Sequence, residues 1–419
     1  MRSKVILVLL LLAGSCAVRY SVRVQGIIYN LKTGDFDSAR KAAIESLRKG
    51  SLLYYLELGT LEHYAKNYKK SIALLEKAEN LREELYTRSI SKEAGALLTN
   101  ENIKPYRGED YEDVFINYYK AFNYYFLGDI EGAVVEARKV DKKLQYLNDH
   151  YDHKNAYRDD AFMEFLSGVF HEMSGEFNDA LISFNRSFKT YREDYARLYG
   201  INPPPFILKA IKRAQLKTGI EIYREEIDTV RISPDKSVLI IVLEYDFIPE
   251  KREGEIVFSY TTDRGITKYR KIAIPYLPDT EITVPAIRAR AGKKTLIFYE
   301  VEPIYKIAYK NLKDRLFRII AKATLRAAVK GAVEEKIEEK LEKKWGTLGE
   351  VTGIFLNILN YHTERADTRQ WSTLPATVLA SYTELDPGTY PIRITVGGSL
   401  LFSDTVKVSG IKLIKIRKF

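Results

Sequence analysis

Cysteine is almost missing from this 419-residue chain: Cys16 is the only one, which excludes an intrachain disulfide framework. Glutamine is scarce, confined to Gln25, Gln145, Gln215 and Gln370, while charged residues reach 29% and tyrosines number 30. That balance leans towards a thermophile, where ion pairs replace thermolabile amides. The five histidines are His63, His150, His153, His171 and His362, and only the pair in NDHYDHKN sits close together. With Asp149 and Asp152 that loop has zinc-binding groups, but without further ligands an incidental loop is the expectation. No serine occupies a nucleophile elbow, and no glycine-rich loop is spaced to cradle phosphate. Adjacent carboxylates such as Glu109 with Asp110 and Glu334 with Glu335 read as solvated faces, and Glu136 with Arg138 as a local pair. No catalytic, metal or cofactor site is therefore expected. No apolar run reaches the roughly 20 residues of a membrane-spanning helix.

What is present begins with MRSKVILVLLLLAGSC. Arg2 and Lys4 precede an apolar run from Val5 to Leu12, and Ala13, Gly14 and Ser15 lead into Cys16. The segment resembles the lipobox signal of bacterial lipoproteins, with Ala13 where leucine is commoner. The resemblance implies removal of residues 1–15 and acylation of Cys16, a durable anchor at roughly 0.8 kcal/mol per buried methylene. It also removes the one thiol from consideration as a nucleophile. Ala17 follows where aspartate would retain a lipoprotein at the inner membrane, so the outer membrane, facing the periplasm, is the expected location.

The length allows two or three domains. The net charge of +10 suits an acidic lipid surface or an anionic glycan, and nucleic acid is discounted for a secreted, anchored chain. Part of the basic excess lies in IKLIKIRKF (411–419), which reads as an edge strand protected by its lysines.

Between 34 and 180 one pattern recurs: GDFDSA, KNYKKS, GDIEGA and GEFNDA, starting at 34, 66, 128 and 175, so the intervals are 32, 62 and 47. Apolar-periodic helices flank each. The arrangement resembles tetratricopeptide helix pairs, with an insertion at about 86–112. The small residues where paired helices touch would be Gly59, Ala121 and Gly168, with Leu58 matching the repeat and Ser167 departing from it. One stripe joins Asn117, Ala121 and Tyr124, and a second joins Tyr118, Phe122 and Tyr125. The next unit places Phe162, Phe165 and Val169 equivalently. In such arrays this is the concave side, so Tyr118, Phe122, Tyr125, Phe162 and Phe165 are candidates for a partner-binding groove. The alternative is that the insertion or the C-terminal half covers them as core.

From about 231 the pattern becomes β-branched: strands are expected at 238–247, 254–262, 268–277, 281–290 and 294–302, then near 390–396 and 400–409, with DPGTY as a turn. A long amphipathic helix, or two joined near Gly331, is expected over 304–344, and a more apolar one over 349–362. The fold class expected is α+β: a tetratricopeptide-like superhelix over 16–222 and a β-rich sheet or sandwich over 223–419 that carries the helices of 304–362.

The chain further resembles, end to end, a family of uncharacterised bacterial lipoproteins that pair such repeats with a β-rich C-terminal domain. The resemblance is carried by 105–138, EYDFIPEKREGEI, IAIPYLPDTE and, most specifically, ERADTRQWSTLPATV (364–378). It transfers no activity; it implies an association with outer-membrane lipoproteins that activate peptidoglycan synthases. Within ADTRQWSTLP, Asp367, Arg369 and Trp371 would share one face of a strand that Pro375 ends or bends. Either Arg369 and Trp371 contact a sugar or partner, or Asp367 pairs with Arg369 and Trp371 plugs the core. These features lead us to expect a non-enzymatic scaffold or adaptor with an envelope protein as partner. The alternative is a module binding peptidoglycan, another anionic glycan or anionic lipid. An enzyme of unfamiliar type is a third expectation and would need a deep cleft of convergent carboxylates.

Overall fold

The computed structural model describes residues 20–90, 104–150, 157, 159–261, 267–316, 319–320 and 365–419. The signal segment with Cys16, most of the insertion, Asp152 and His153 of the histidine loop, Glu334, Glu335, His362 and the helix expected at 349–362 lie outside them, as does the 304–344 helix beyond 320.

The first half is four antiparallel helix pairs: α1 (Tyr20–Lys32) with α2 (Phe36–Ser46), α3 (Leu52–Tyr64) with α4 (Tyr68–Ile90), α5 (Asp110–Phe126) with α6 (Ile130–His150), and α7 (Ala161–Ser174) with α8 (Phe177–Thr190). The recurring hexapeptides are the turns inside the pairs, and the reason for their glycines is visible in the backbone. Gly34, Gly128 and Gly175 have φ of 76°, 80° and 83°, the left-handed region that costs glycine least. Lys66 takes the same conformation in the second pair, φ 61°, despite its side chain. In all four turns the next amide reaches back to a carbonyl in the last turn of the first helix: Asp35 to Asn30, Asn67 to Glu62, Asp129 to Tyr124 and Glu176 to His171. This is the Schellman arrangement, which satisfies helix-end carbonyls.

Inside the pairs, small residues allow close approach. A Cβ on Gly59 would fall 2.6 Å from the Leu75 side chain, and one on Gly168 would fall 2.5 Å from the Phe184 ring. A π turn (Tyr191–Tyr195), α9 (Ala196–Tyr199), α10 (Pro205–Thr218) and α11 (Arg224–Asp228) follow.

Ten strands follow among the described residues: β1 (Ser237–Phe247), β2 (Arg252–Thr261), β3 (Thr267–Tyr276), β4 (Ile287–Ala291), β5 (Lys294–Leu296), β6 (Tyr299–Glu302), β7 (Pro375–Leu385), β8 (Gly388–Val396), β9 (Ser399–Val408) and β10 (Ile411–Lys418). One sheet has the order β10-β1-β7-β6, the second β5-β4-β8-β9, and β2 pairs with β3 alone. β10 runs parallel to β1; the other pairings are antiparallel. A helix, α12, covers 304–316.

The layers follow from alternation along β1. Val238, Ile240 and Val242 join the core shared with the helices, whereas Leu239 and Ile241 pack against Ala289, Ile392 and Ile394 of the second sheet. The first sheet is thus the middle layer, with the helical array on one side and the second sheet on the other. Burial on both faces explains the unbroken apolar run VLIIVL. One hydrophobic cluster runs from Leu52 to Leu413 through both halves.

The expected elements are corrected in four places. The strand expected at 281–290 forms only as β4, because Pro285 has no N–H to give a ladder, and the one expected at 294–302 divides into β5 and β6, which belong to different sheets. β7 was not anticipated, because Pro375 reads as a terminator; it is instead the first residue of the strand, a position where proline is tolerated. Residues 365–374 form no strand but an irregular strap.

Candidate functional site

The aromatic stripe is not an open groove. Tyr118, Phe122, Phe162 and Phe165 are buried and Tyr125 is half-buried. Phe162 and Phe165 lie between helices, with the Phe206 ring of α10 5.1 Å from Phe165. The other three lie under β10: the Tyr125 hydroxyl accepts from the Leu413 amide at 3.0 Å and donates to its carbonyl at 3.2 Å. The Lys415 ammonium is caged by rings, 4.6 Å from the centre of Tyr119, 5.3 Å from Tyr64 and Tyr118, and 5.5 Å from Phe122. The chain's own last strand fills the place expected for a partner.

Lys415 is paired with the buried Glu244 of β1 at 3.0 Å, and Arg417 stands 3.6 Å from the same carboxylate. Burial pulls the Lys415 ammonium down to about 8, while Glu244 opposes the shift. Lys415 also donates to His63 Nε2 at 2.7 Å, and an ammonium can only donate, so Nε2 is the unprotonated nitrogen. Nδ1 then donates to Asn123 Oδ1 at 2.6 Å, Asn123 donates to Ser71 at 2.8 Å, and Ser71 donates to the Gly59 carbonyl at 2.7 Å. Burial, with the charges of Lys415 and Arg417, lowers His63 and keeps it neutral. One directional chain joins β10 to α5, α4 and α3.

The strap enters the array beside this seat. Arg369 pairs with Asp367 at 2.7 Å, donates to the Lys104 carbonyl at 2.9 Å and covers the Tyr106 ring. Trp371 is fully buried, its indole N–H shared between Thr60 and Thr373, each at 3.0 Å. Two buried carboxylates of the array hold the strap's backbone: Glu112 accepts from the Trp371 amide at 2.7 Å, and Glu57 from those of Ser372 at 2.7 Å and Thr373 at 3.2 Å. Glu57 also accepts from the Thr373 and Tyr20 hydroxyls. Neither glutamate was anticipated; the signal was a charged residue on the otherwise apolar faces of α3 and α5.

The carboxylate readings also change. Glu109 is not solvated: it is buried against Lys251 at 2.7 Å and against Arg315. Asp110 approaches Arg82. Glu136 and Arg138 do not pair; Glu136 meets Lys120 at 3.0 Å and Arg138 meets Glu176 at 2.8 Å. His171, Glu176 and Asp179 bring their ligand atoms within 4.8 Å of one another, but Glu176 is already held by Arg138 and by His171 Nδ1 at 2.6 Å.

A cleft of about 280 Å³, lined by both charged and apolar side chains, lies where α12, the loop after β3 and α9 meet. Among the described residues, no helix is long and apolar enough to cross a membrane.

No family model and no curated protein matches the chain. Solved structures that it is similar to include BtubC (BKLC) from P. vanneervenii, 16% identical, with 48% of this chain and 71% of that one covered and a TM-score of 0.32. A MamA protein is 13% identical, with 50% and 86% covered and a TM-score of 0.31. A kinesin light chain with nearly identical TPR-like repeats from Podosopora anserina is 12% identical, with 50% and 89% covered and a TM-score of 0.31. These likenesses are too distant to carry a function across.

Two predictions follow from the buried charges. Lys415→Met leaves Glu244 without its nearest cation and is expected to cost about 3–5 kcal/mol in urea unfolding. Adding Glu244→Gln should recover part of that loss, and no recovery would mean the ion pair is not the seat.

For pH, burial and then the Glu109 charge push Glu112 up to about 7, and burial pushes Asp160 up to about 6. In the folded chain these groups keep protons that the unfolded chain gives up, so stability is full below the unfolded values and is lost as pH rises through the folded ones. Burial alone would raise Glu109, but Arg315 and Lys251 overcome it and hold the group to about 2, so its contribution is lost as pH falls from about 4.5. Stability should therefore turn over at about pH 4, between the unfolded values of these groups, and fall from there by roughly 3 kcal/mol per raised group towards pH 8. Unfolding at pH 5, 6.5 and 8 checks this; a fall that is no shallower in Glu112→Gln than in the wild type would remove Glu112 as a source.

Proposed function

We propose that this protein is a non-enzymatic scaffold of the bacterial cell envelope, tethered by a lipid on Cys16 at the outer membrane with its body in the periplasm. On this proposal it carries a protein partner on the outward face of its helical array. One observation carries the choice of face. The inner face is filled in cis by β10 and the strap, so a partner has to dock elsewhere. Val135 on α6 and Ile182 on α8 are 48% and 50% exposed, and each stands seven residues beyond the turn glycine of its pair, Gly128 and Gly175. Ile44 on α2 is 53% exposed. A β-branched side chain left in water at the same place in successive repeats does nothing for the fold and offers an apolar row to a partner. The middle sheet couples that row to the rest of the body, so the partner would be held at a fixed position. The second proposed role, binding of an anionic glycan or lipid, is favoured by the lysines of the junction cleft.

A photo-crosslinking amino acid at position 135 and one at 182 should capture the same envelope protein in native membranes, and one at the buried Tyr118 should capture none. Val135→Asp with Ile182→Asp should abolish the crosslink with at most about 1 kcal/mol of destabilisation, as for surface changes generally. Different captures at the two positions, or none, would refute the outward-face scaffold. In cell fractionation, Cys16→Ser should move the chain from membranes to the soluble fraction; retention on membranes would refute the lipid tether.

A further inference from the structure

The junction cleft has the composition of a binding site for a small charged ring. On α12, Lys306, Lys310 and Lys313 line it at i, i+4 and i+7, so three ammonium groups share one helix face. Like charges at this spacing repel one another, a cost that a bound anion would remove. Asp279 is the one carboxylate among the described residues of the lining.

The three lysines are not equally committed. Lys306 donates to the Tyr199 carbonyl at 2.8 Å and so is fixed at the back of the cleft. Lys310 leans on Asp314, one turn along, in a partly exposed pair. A solvent-screened pair of this kind is weak enough for a ligand oxyanion to displace. Lys313 is exposed.

The wall from the loop after β3 is apolar, with Leu277 and Pro278, and Tyr309 of α12 adds a half-buried ring on the lysine side. Thr280 and Asp279 supply a hydroxyl and a carboxylate to meet ligand hydroxyls. The volume of about 280 Å³ lies at the small end for ligand pockets, about 300–1,000 Å³, so it suits one ring and its substituent.

We propose that this cleft binds a sugar ring bearing an oxyanion, a phosphate or a carboxylate, with Lys310 and Lys313 meeting the charge and the apolar side chains of Leu277, Pro278 and Tyr309 meeting the ring. The proposal rests on the glycan-binding role above and is independent of the scaffold's outward face. The sugar is either a free molecule or one unit of an anionic polymer.

Calorimetric titration of the full chain with glucose 6-phosphate and with galacturonate should show saturable binding that weakens with added salt. Glucose should not bind, and inorganic phosphate should bind at least about tenfold more weakly, because it lacks the ring. Lys310→Gln with Lys313→Gln should weaken the sugar acids at least about tenfold, the loss of two charge-assisted contacts, at unchanged melting temperature. No binding of either sugar acid, equal binding of phosphate, or equal binding by the double variant overturns the proposal. Co-sedimentation with polygalacturonate separates the sources. Pelleting lost in the double variant supports a polymer unit, whereas pelleting retained in it overturns the cleft as the polymer's seat. No pelleting alongside intact binding of glucose 6-phosphate supports a free sugar in the cleft while refuting the polymer-binding role.

Discussion

A carboxylate placed in the middle of a buried strand has to be neutralised from a fixed direction, and that requirement governs how the halves of this chain meet. Glu244 lies on the face of β1 that looks at the helices, fully buried. Left alone there, a charge would cost several kcal/mol. Its cations come from β10, where Lys415 and Arg417 alternate with Ile414 and Ile416, and the isoleucines face the second sheet. A slip of β10 by one residue would turn both cations into the apolar space between the sheets and the isoleucines onto the carboxylate. The ion cluster therefore fixes register as well as position. The aromatic cage strengthens the same choice, because the ring faces that surround Lys415 favour a cation over an alkyl chain.

The strap is held by different physics. Its side chains identify it in the sequence, but what the array grips is largely its backbone, through Glu57 and Glu112. Carboxylates that accept amide hydrogens can seat an extended segment of almost any composition, and the specificity comes from Trp371, whose indole fills space between α3 and α5. These contacts span up to 316 positions of sequence. The inner face of the array is thus completed by residues from the far end of the chain. The change of pattern near 222 and 223 marks a change of secondary structure within a continuous core.

The helical half was legible because its signals are local. A left-handed turn needs glycine or tolerates little else, and three of the four turns show it; Lys66 escaped that rule but kept the flanking pattern. Paired-helix contacts at Gly59 and Gly168 were legible for the same reason. β7 was not, because PATVLASYTEL is buried on both sides over most of its length and so lacks the period of two that marks a half-exposed strand. The aromatic stripe shows the limit most clearly. Spacing told which rings share a face, whereas what covers that face depends on β10, some 290 residues later. Glu109 was misread in the same way, since Lys251 and Arg315 that neutralise it are remote in sequence.

The junction cleft inherits its properties from this arrangement. Its walls come from α9, the loop after β3 and α12, elements from both halves, so it has its shape only when the halves are docked. Any ligand that binds there binds the docked state alone, and by mass action it stabilises that state by RT ln(1 + [L]/Kd). The site lies close to the strap as well: the Pro249 carbonyl, at the cleft, accepts a hydrogen bond from Gln370, and the backbone amide of nearby Lys251 donates one to the same side chain while its ammonium holds Glu109. Occupation of the cleft would therefore be felt first where the strap enters the array. That places the cleft next to the joint that sets the relative position of the two halves, so a ligand held there would bear directly on that joint.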